Sequence, residues 1–176
     1  RVYSWGMADF TREEVLATAR KLIGADLSGL DLSEADLRNT NLSGANLSGA
    51  NLSKTHLDEA KLSGANLSRV DLSRTYLRAV KLNFANLSGA NLSGAKLSFA
   101  NLSGADVRAN LTEADLSWAF LRGSKLSFAN LSGADVRADL SGADLGKAKY
   151  NKYTKWPEGF DPEAEEVYER RPRLVE

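Results

Sequence analysis

The 176-residue chain has no cysteine, which excludes a disulfide framework and any thiolate metal site. A single histidine, His56, leaves no histidine cluster to hold a metal. Net charge is absent as well. The 23 basic residues balance 23 acidic ones, so no field draws in nucleic acid or an anionic membrane. No apolar run approaches the roughly 18 residues of a membrane span, and no secretory leader pattern precedes the only methionine, Met7. Residues 1–6 read as a tag remnant or a mature N-terminus. Serine and glycine are plentiful, yet no Gly-x-Ser-x-Gly elbow, Walker loop or Rossmann glycine pattern occurs. These absences leave no catalytic residue, metal ligand or cofactor site to assign, and the reading is not an enzyme.

What the chain does have is a period. A leucine recurs every fifth residue over 27–102, inside the word Ala, Asp or Asn, Leu, Ser, Gly. Two examples are Ala45-Asn46-Leu47-Ser48-Gly49 and Ala90-Asn91-Leu92-Ser93-Gly94. Five fits neither the 3.6-residue helix nor the two-residue strand. It implies a solenoid in which each short side contributes one inward residue. The centres continue to Val107, step by four to Leu111, and return to fives through Val136. A second step of four reaches Leu140, followed by Leu145 and Tyr150, for 26 centres in all. Both short steps fall in nearly identical text, Ala105-Asp-Val-Arg-Ala-Asn-Leu111 and Ala134-Asp-Val-Arg-Ala-Asp-Leu140, and read as tolerated turn variants.

Three segments follow. Residues 1–24 are an extension and a capping helix over 8–24, with a Thr11-Arg-Glu-Glu14 capping box and Gly24 as its stop. Residues 25–150 are the repeats. Residues 151–176 lose the period and form a C-terminal cap, in which Asp161 N-caps a short helix beginning at Pro162. Tyr150, Tyr153, Trp156 and Phe160 are expected to close the last coil, and the tail over 170–176 to be disordered.

The tandem A(D/N)LSG word resembles the pentapeptide repeat family, and the ending from Tyr150 to Pro162 resembles the closure of cyanobacterial members. The resemblance implies a right-handed quadrilateral parallel β-helix, an all-β solenoid with four repeats per coil. The leucine and the small residue two before it would point inward. Leu47, Leu67, Leu87 and Val107 are representative core positions. Twenty-six centres make about 6.5 coils, a rod of roughly 31 Å at the spacing of adjacent strands. Leu30, Val70 and Val80 are bulky for the small position, and local bulging is expected there.

In such a coil, residues 20 apart stack on one side, or 19 apart across a short step. The side centred on Leu37, Leu57, Leu77, Leu97, Leu116 and Val136 departs most from the repeat. His56, Tyr76, Arg78, Lys96, Phe99 and Trp118 form the candidate interaction patch, with Phe99 and Trp118 outward, on adjacent coils and in contact. Lys61, Lys81, Phe84 and Phe120 belong to the neighbouring side. The competing reading is a purely structural ladder of aromatics and compensating charges.

The function read here is therefore a non-catalytic protein-interaction or structural scaffold of unknown partner, monomeric or dimeric through its C-terminal aromatics. Some relatives mimic DNA and bind gyrase, which the resemblance offers as an alternative. A DNA mimic needs an acidic surface, and residues 25–150 carry 13 acidic and 14 basic side chains. A spacer rod within a larger fusion is the other alternative. Direct nucleic-acid or membrane binding is not expected. The compartment is read as cytoplasmic, with periplasm or thylakoid lumen as alternatives.

Overall fold

The computed structural model describes residues 11–18 and 22–163, and the backbone of residues 168–169. Parallel bridges join the residue before each centre to its equivalent one coil on: Asn46 to Asn66, Asn66 to Asn86, Asn86 to Asp106, Asp106 to Lys125. The offset is 20 residues, or 19 across a four-residue step. Four such columns run the length of the repeats, so the solenoid has four sides. The first is centred on Leu42, the second on Leu47, the third on Leu52 and the fourth on Leu57.

Each side is too short for a conventional strand, and one bridge per side carries the pairing. Leu47 donates its N–H to the Asn66 carbonyl (2.8 Å), and Asn66 donates to the Ala45 carbonyl (2.9 Å). Repetition of that pair satisfies the backbone between coils. Within a coil, the small residue closes a turn on the preceding centre, as Ala50 does on the Leu47 carbonyl (3.1 Å). At every regular step the residue two after the centre takes a left-handed φ, for example Gly49 at 67°. The Asp or Asn before each centre accepts the N–H two residues on, as Asn46 does from Ser48 (3.2 Å). In two columns it also links coils: Asn66 Nδ2 donates to Asn46 Oδ1 (3.1 Å), and Asn51 Nδ2 to Asp31 Oδ1 (3.1 Å).

The core is one file of leucines and small residues along the axis. Leu47, Leu67, Leu87 and Val107 are fully buried, each contributing roughly 1.5–3 kcal/mol of apolar burial. Thr40, Thr55, Thr75 and Ser124 fit the small position because their hydroxyls find carbonyls. Thr75 donates to Leu52 O and Ser124 to Leu121 O. The bulging expected at Leu30, Val70 and Val80 is limited to a lengthened turn at Leu30. The closing bond stretches to 3.4 Å at Leu30, while Asn51 still reaches the Leu30 carbonyl at 2.9 Å; at Val70 and Val80 it is 3.3 and 3.2 Å, no longer than the 3.3 Å at Thr40, so no bulge accompanies the valines.

At the N-terminal side, helix α1 spans Arg12–Thr18. Thr11 and Glu14 form the capping box, with Thr11 N–H on Glu14 Oε2 (2.8 Å) and Glu14 N–H on Thr11 Oγ1 (3.3 Å). The helix expected over 8–24 is shorter at its C-terminal side. Leu22 and Gly24 already donate to the Asn41 and Ser43 carbonyls, so they belong to the first coil. Gly24 is a repeat turn (φ 68°) and not a helix stop. Residues 8–10 and 19–21 lie outside the described residues.

At the other end, strand β1 (Lys149–Tyr150) pairs in parallel with strand β2 (Tyr168–Glu169). Asp161 Oδ1 accepts the Glu163 N–H (2.9 Å), and residues 162–163 form a turn. Of the short helix expected from Pro162, residues 164–167 lie outside the described residues, as does the tail over 170–176. By residue 168 the chain has rejoined the ladder on the third side. Trp156 occupies a centre on the fourth side, since Val136 donates to the Lys155 carbonyl (2.7 Å). The Tyr150 ring meets Trp156 edge-on at 5.6 Å, and Phe160 stacks on Trp156 at 4.9 Å. Tyr153 differs from the expectation, being 66% exposed. The step from Tyr150 to Trp156 is six residues, and Thr154 takes the small position by donating to the Leu131 carbonyl (2.9 Å). Tyr153 is the supernumerary residue and is turned outward, where the Lys152 ammonium lies 5.0 Å from its ring centroid.

Candidate functional site

The corner between the fourth and first sides is where the surface departs from the repeat. His56, Tyr76 and Lys96 are successive rungs of one column on the fourth side. His56 and Tyr76 stack flat, centroids 4.6 Å apart and 3° between planes. One position past the centres, the Arg78 guanidinium lies 5.7 Å from the Phe99 ring centroid. Two positions past the centres stand Phe99 and Trp118, 48% and 70% exposed. Among the described residues their rings make no ring–ring contact with each other, contrary to the contact expected from adjacent coils. They line one groove instead.

That groove encloses about 600 Å³. It is lined by the aromatic side chains of Phe99, Trp118 and Phe120, by Arg137, Ala138 and Asp139 of the next coil, and by Pro157 and Glu158. Its cause is the four-residue step between Val136 and Leu140. A regular corner would place a left-handed residue between Arg137 and Ala138. Here Ala138 closes directly on the Val136 carbonyl (2.7 Å), and the corner lacks one side chain's worth of material. The six-residue step then brings Pro157 alongside the notch. The first short step, at Val107–Leu111, has the same text, but the residue one coil above it in the corner column is Gly89. Its N–H donates to the Arg108 carbonyl. At the second notch that place belongs to Trp118, which donates to the Arg137 carbonyl (2.8 Å).

Backbone conformation makes the aromatics costly. Phe84, Phe99, Trp118 and Phe128 have φ of 60°, 61°, 59° and 62°, at the turn position filled by glycine in many coils. Left-handed φ at a bulky L-residue costs on the order of 1 kcal/mol. Phe84 recovers part of that by lying over the glycine one coil on, since a Cβ on Gly104 would come within 2.7 Å of its ring. Phe128 has the Lys147 ammonium 5.5 Å from its centroid. Among the described residues no ring stacks on Trp118 and no cation lies over it.

Two carboxylates at this corner, Asp135 and Asp139, are tied down. Arg137 clamps Asp135 through Nε–Oδ1 (2.8 Å) and Nη2–Oδ2 (2.6 Å), and Lys155 adds a longer pair at 3.6 Å. The Arg137 hydrogen bonds hold the Asp135 carboxyl below its ordinary value. The Ser141 hydroxyl and N–H do the same for Asp139. The Asp-x-Arg clamp recurs at Asp36–Arg38, where the Arg38 hydrogen bonds lower the Asp36 pKa to about 2, and at Asp106–Arg108. Among the described residues no group of three or more His, Asp or Glu could hold a metal.

The match to known sequences settles the family. The profile described as "Pentapeptide repeats (8 copies)" covers residues 21–57, 35–74, 71–108 and 107–149. This chain belongs to the pentapeptide repeat family. Such proteins fold as right-handed quadrilateral β-helices and are in general structural or interaction proteins. HetL of Nostoc sp. strain PCC 7120, a pentapeptide repeat protein involved in heterocyst differentiation regulation, is 33% identical. That match covers 80% of this chain and 72% of HetL, with a TM-score of 0.34. Rfr23 of Cyanothece 51142 is 29% identical over 76% of this chain and 88% of its own, TM-score 0.47. A pentapeptide repeat protein of the Arabidopsis thaliana thylakoid lumen is 29% identical over 68% of each chain, TM-score 0.31. Among curated proteins no match is found. No helix among the described residues of this pentapeptide repeat protein is long and apolar enough to cross a membrane.

The patch read from sequence named Phe99 and Trp118, which line the groove, Arg78, which lies against Phe99 without lining it, and His56, Tyr76 and Lys96, which lie along the same side but do not line it. It omitted Asp139, Pro157 and Glu158. Their signal was present in the irregular steps, four residues at Val136–Leu140 and six at Tyr150–Trp156. Those steps decide which side chains face each other across the corner.

Proposed function

We propose that this pentapeptide repeat protein is a non-catalytic interaction rod that binds a protein partner through the groove beside Phe99 and Trp118. The rod is right-handed and about six and a half coils long. Helix α1 covers one end, and Tyr150, Trp156 and Phe160 close the other. The observation that carries this reading is the pairing of exposure with strain. Large aromatics stand 48% and 70% exposed at a turn position that disfavours them, beside an open groove of about 600 Å³. Aromatics in a groove are what binding hot spots use. The balance of 23 basic and 23 acidic residues gives no support to a DNA mimic.

The test is affinity capture from the native host's lysate with this chain and with Phe99→Ser/Trp118→Ser, followed by mass spectrometry. A partner retained by the first and lost by the second, while far-UV CD stays unchanged, supports the reading. Identical retention by both moves the interaction elsewhere on the rod.

A further inference from the structure

The groove lies at one end of a line of side chains along the same corner. Coil by coil the line runs Lys61, then Arg78 and Lys81, then Phe99, then Trp118 and Phe120, then the notch. Lys61 and Lys81 are adjacent rungs of one parallel column, both exposed. Like charges directly opposite in a ladder are unfavourable. Elsewhere the bridged ionic rungs alternate in sign, as in Asp106–Lys125–Asp144 and Lys96–Asp115. The one bridged pair of carboxylates, Asp115–Asp135, is offset by Arg137 and Lys155 on Asp135. Neither Lys61 nor Lys81 makes an ion pair among the described residues. Of the nearby carboxylates, Asp58 accepts the Arg78 N–H (3.0 Å), and Glu59 pairs with neither lysine. The Arg78 head group lies against Phe99 and makes no ion pair among the described residues.

Resting on the interaction-site reading above, we propose that the occupant is an extended segment of a protein partner carrying acidic side chains a fixed distance from an apolar anchor. The anchor fills the aromatic groove, and the acidic groups meet Lys81 and Lys61. Lys81 and Phe120 are two rungs apart in one column. Two coil spacings are about 10 Å, and an extended chain covers that in about three residues. The preferred order is therefore an acidic pair and, about three residues away, a Trp, Phe, Leu or Ile. Single-stranded nucleic acid is the less favoured occupant. It would bring many phosphates past Asp139 and Glu158 at the groove end, and the chain's zero net charge offers no general attraction.

The experiment is selection of a displayed library of random short peptides on the whole chain. Synthetic versions of the enriched peptides are then titrated by fluorescence polarisation against the unaltered protein, Lys61→Glu/Lys81→Glu, and Trp118→Ser. All three proteins are first checked by far-UV CD. The expected result is enrichment of the acidic–apolar spacing. Affinity should fall on the order of tenfold in the charge-reversed variant, with loss of measurable binding in Trp118→Ser. Enriched apolar peptides without acidic preference, unaffected by charge reversal, would overturn this proposal and leave the groove reading standing. Failure to enrich any peptide, or binding that ignores Trp118→Ser, would overturn both. Tighter, Trp118-dependent binding of a labelled single-stranded oligonucleotide would replace the peptide with nucleic acid.

Discussion

Trp118 has an indole where glycine would relieve the backbone, and that conflict separates a structural ladder from a binding surface. If the ring served the rod, Trp118→Gly would destabilise it. The expectation here is the reverse. Relief of the left-handed strain at φ 59° should stabilise the rod by roughly 1 kcal/mol or less. Thermal melting would register that as a rise of roughly 2–4 °C or less, with partner binding lost. A melting midpoint several degrees lower would restore the ladder reading. The carboxylates give a second prediction at this scale. Asp26, Asp36, Asp106, Asp135 and Asp139 all have folded pKa values below the ordinary one, chiefly through hydrogen bonds from the residue two on. A depressed folded value means stability that is complete above the unfolded pKa of about 3.9 and lost as pH falls through the folded one. The melting midpoint should hold down to about pH 4 and then decline toward pH 2, where Asp36 also titrates. A midpoint independent of pH across that window would mean the Asp turns contribute nothing to folding.

At the scale of elements, α1 is held to the first coil by Val15, which is fully buried in the core, and by the Arg12 guanidinium. Arg12 Nη1 donates to the Asp31 carbonyl (2.9 Å) and Nη2 to the Ser33 carbonyl (2.7 Å). One coil on, the equivalent carbonyls of Asn51 and Ser53 accept from the backbone of Leu32 and Glu34. The guanidinium therefore stands in for the amides of a coil that does not precede Asp31 and Ser33. Removing it by Arg12→Ala leaves two carbonyls without a protein donor, a local cost of about 1–3 kcal/mol. Hydrogen exchange should quicken at Leu32 and Glu34 and stay unchanged around Leu87. Uniform acceleration along the rod would show that the end is not an independent unit. The notch is also editable. A glycine inserted between Arg137 and Ala138 restores a five-residue step, and should leave melting nearly unchanged while weakening any ligand of the groove.

For the whole molecule, the core is a continuous file with no tolerance for charge. Leu67 is fully buried at mid-rod, and Leu67→Asp places a carboxylate among leucines with no donor. The cost of an unpaired buried charge exceeds what a domain of this size holds in reserve. Loss of the cooperative β transition by CD is expected, and retention at an unchanged midpoint would show the inward register is misassigned. That register was legible because one residue type, leucine, repeats at a spacing no helix or strand shares. The stacking of Asp36, His56, Tyr76 and Lys96 followed from that count together with the four repeats per coil that the family resemblance implies. Where the reading failed, either a residue had two meanings or a step length changed. Gly24 read as a helix stop because a glycine two after Leu22 looks the same in a C-cap and in a repeat corner. Tyr153 read as part of the plug because the six-residue step that ejects it follows the last regular unit. The groove was hidden for the same reason: it is made by a missing residue, and a sequence displays only the ones present.

Both short steps remove a corner residue without rotating the sides, since each column continues at an offset of 19 instead of 20. Distance along the rod is therefore quantised, and it is independent of what decorates it. Duplicating one coil between Lys81 and Phe99 would carry the cationic pair about 4.8 Å farther from the aromatic walls while leaving each intact. In that sense the corner is a ruler. The peptide it prefers should lengthen by one or two residues for each coil inserted.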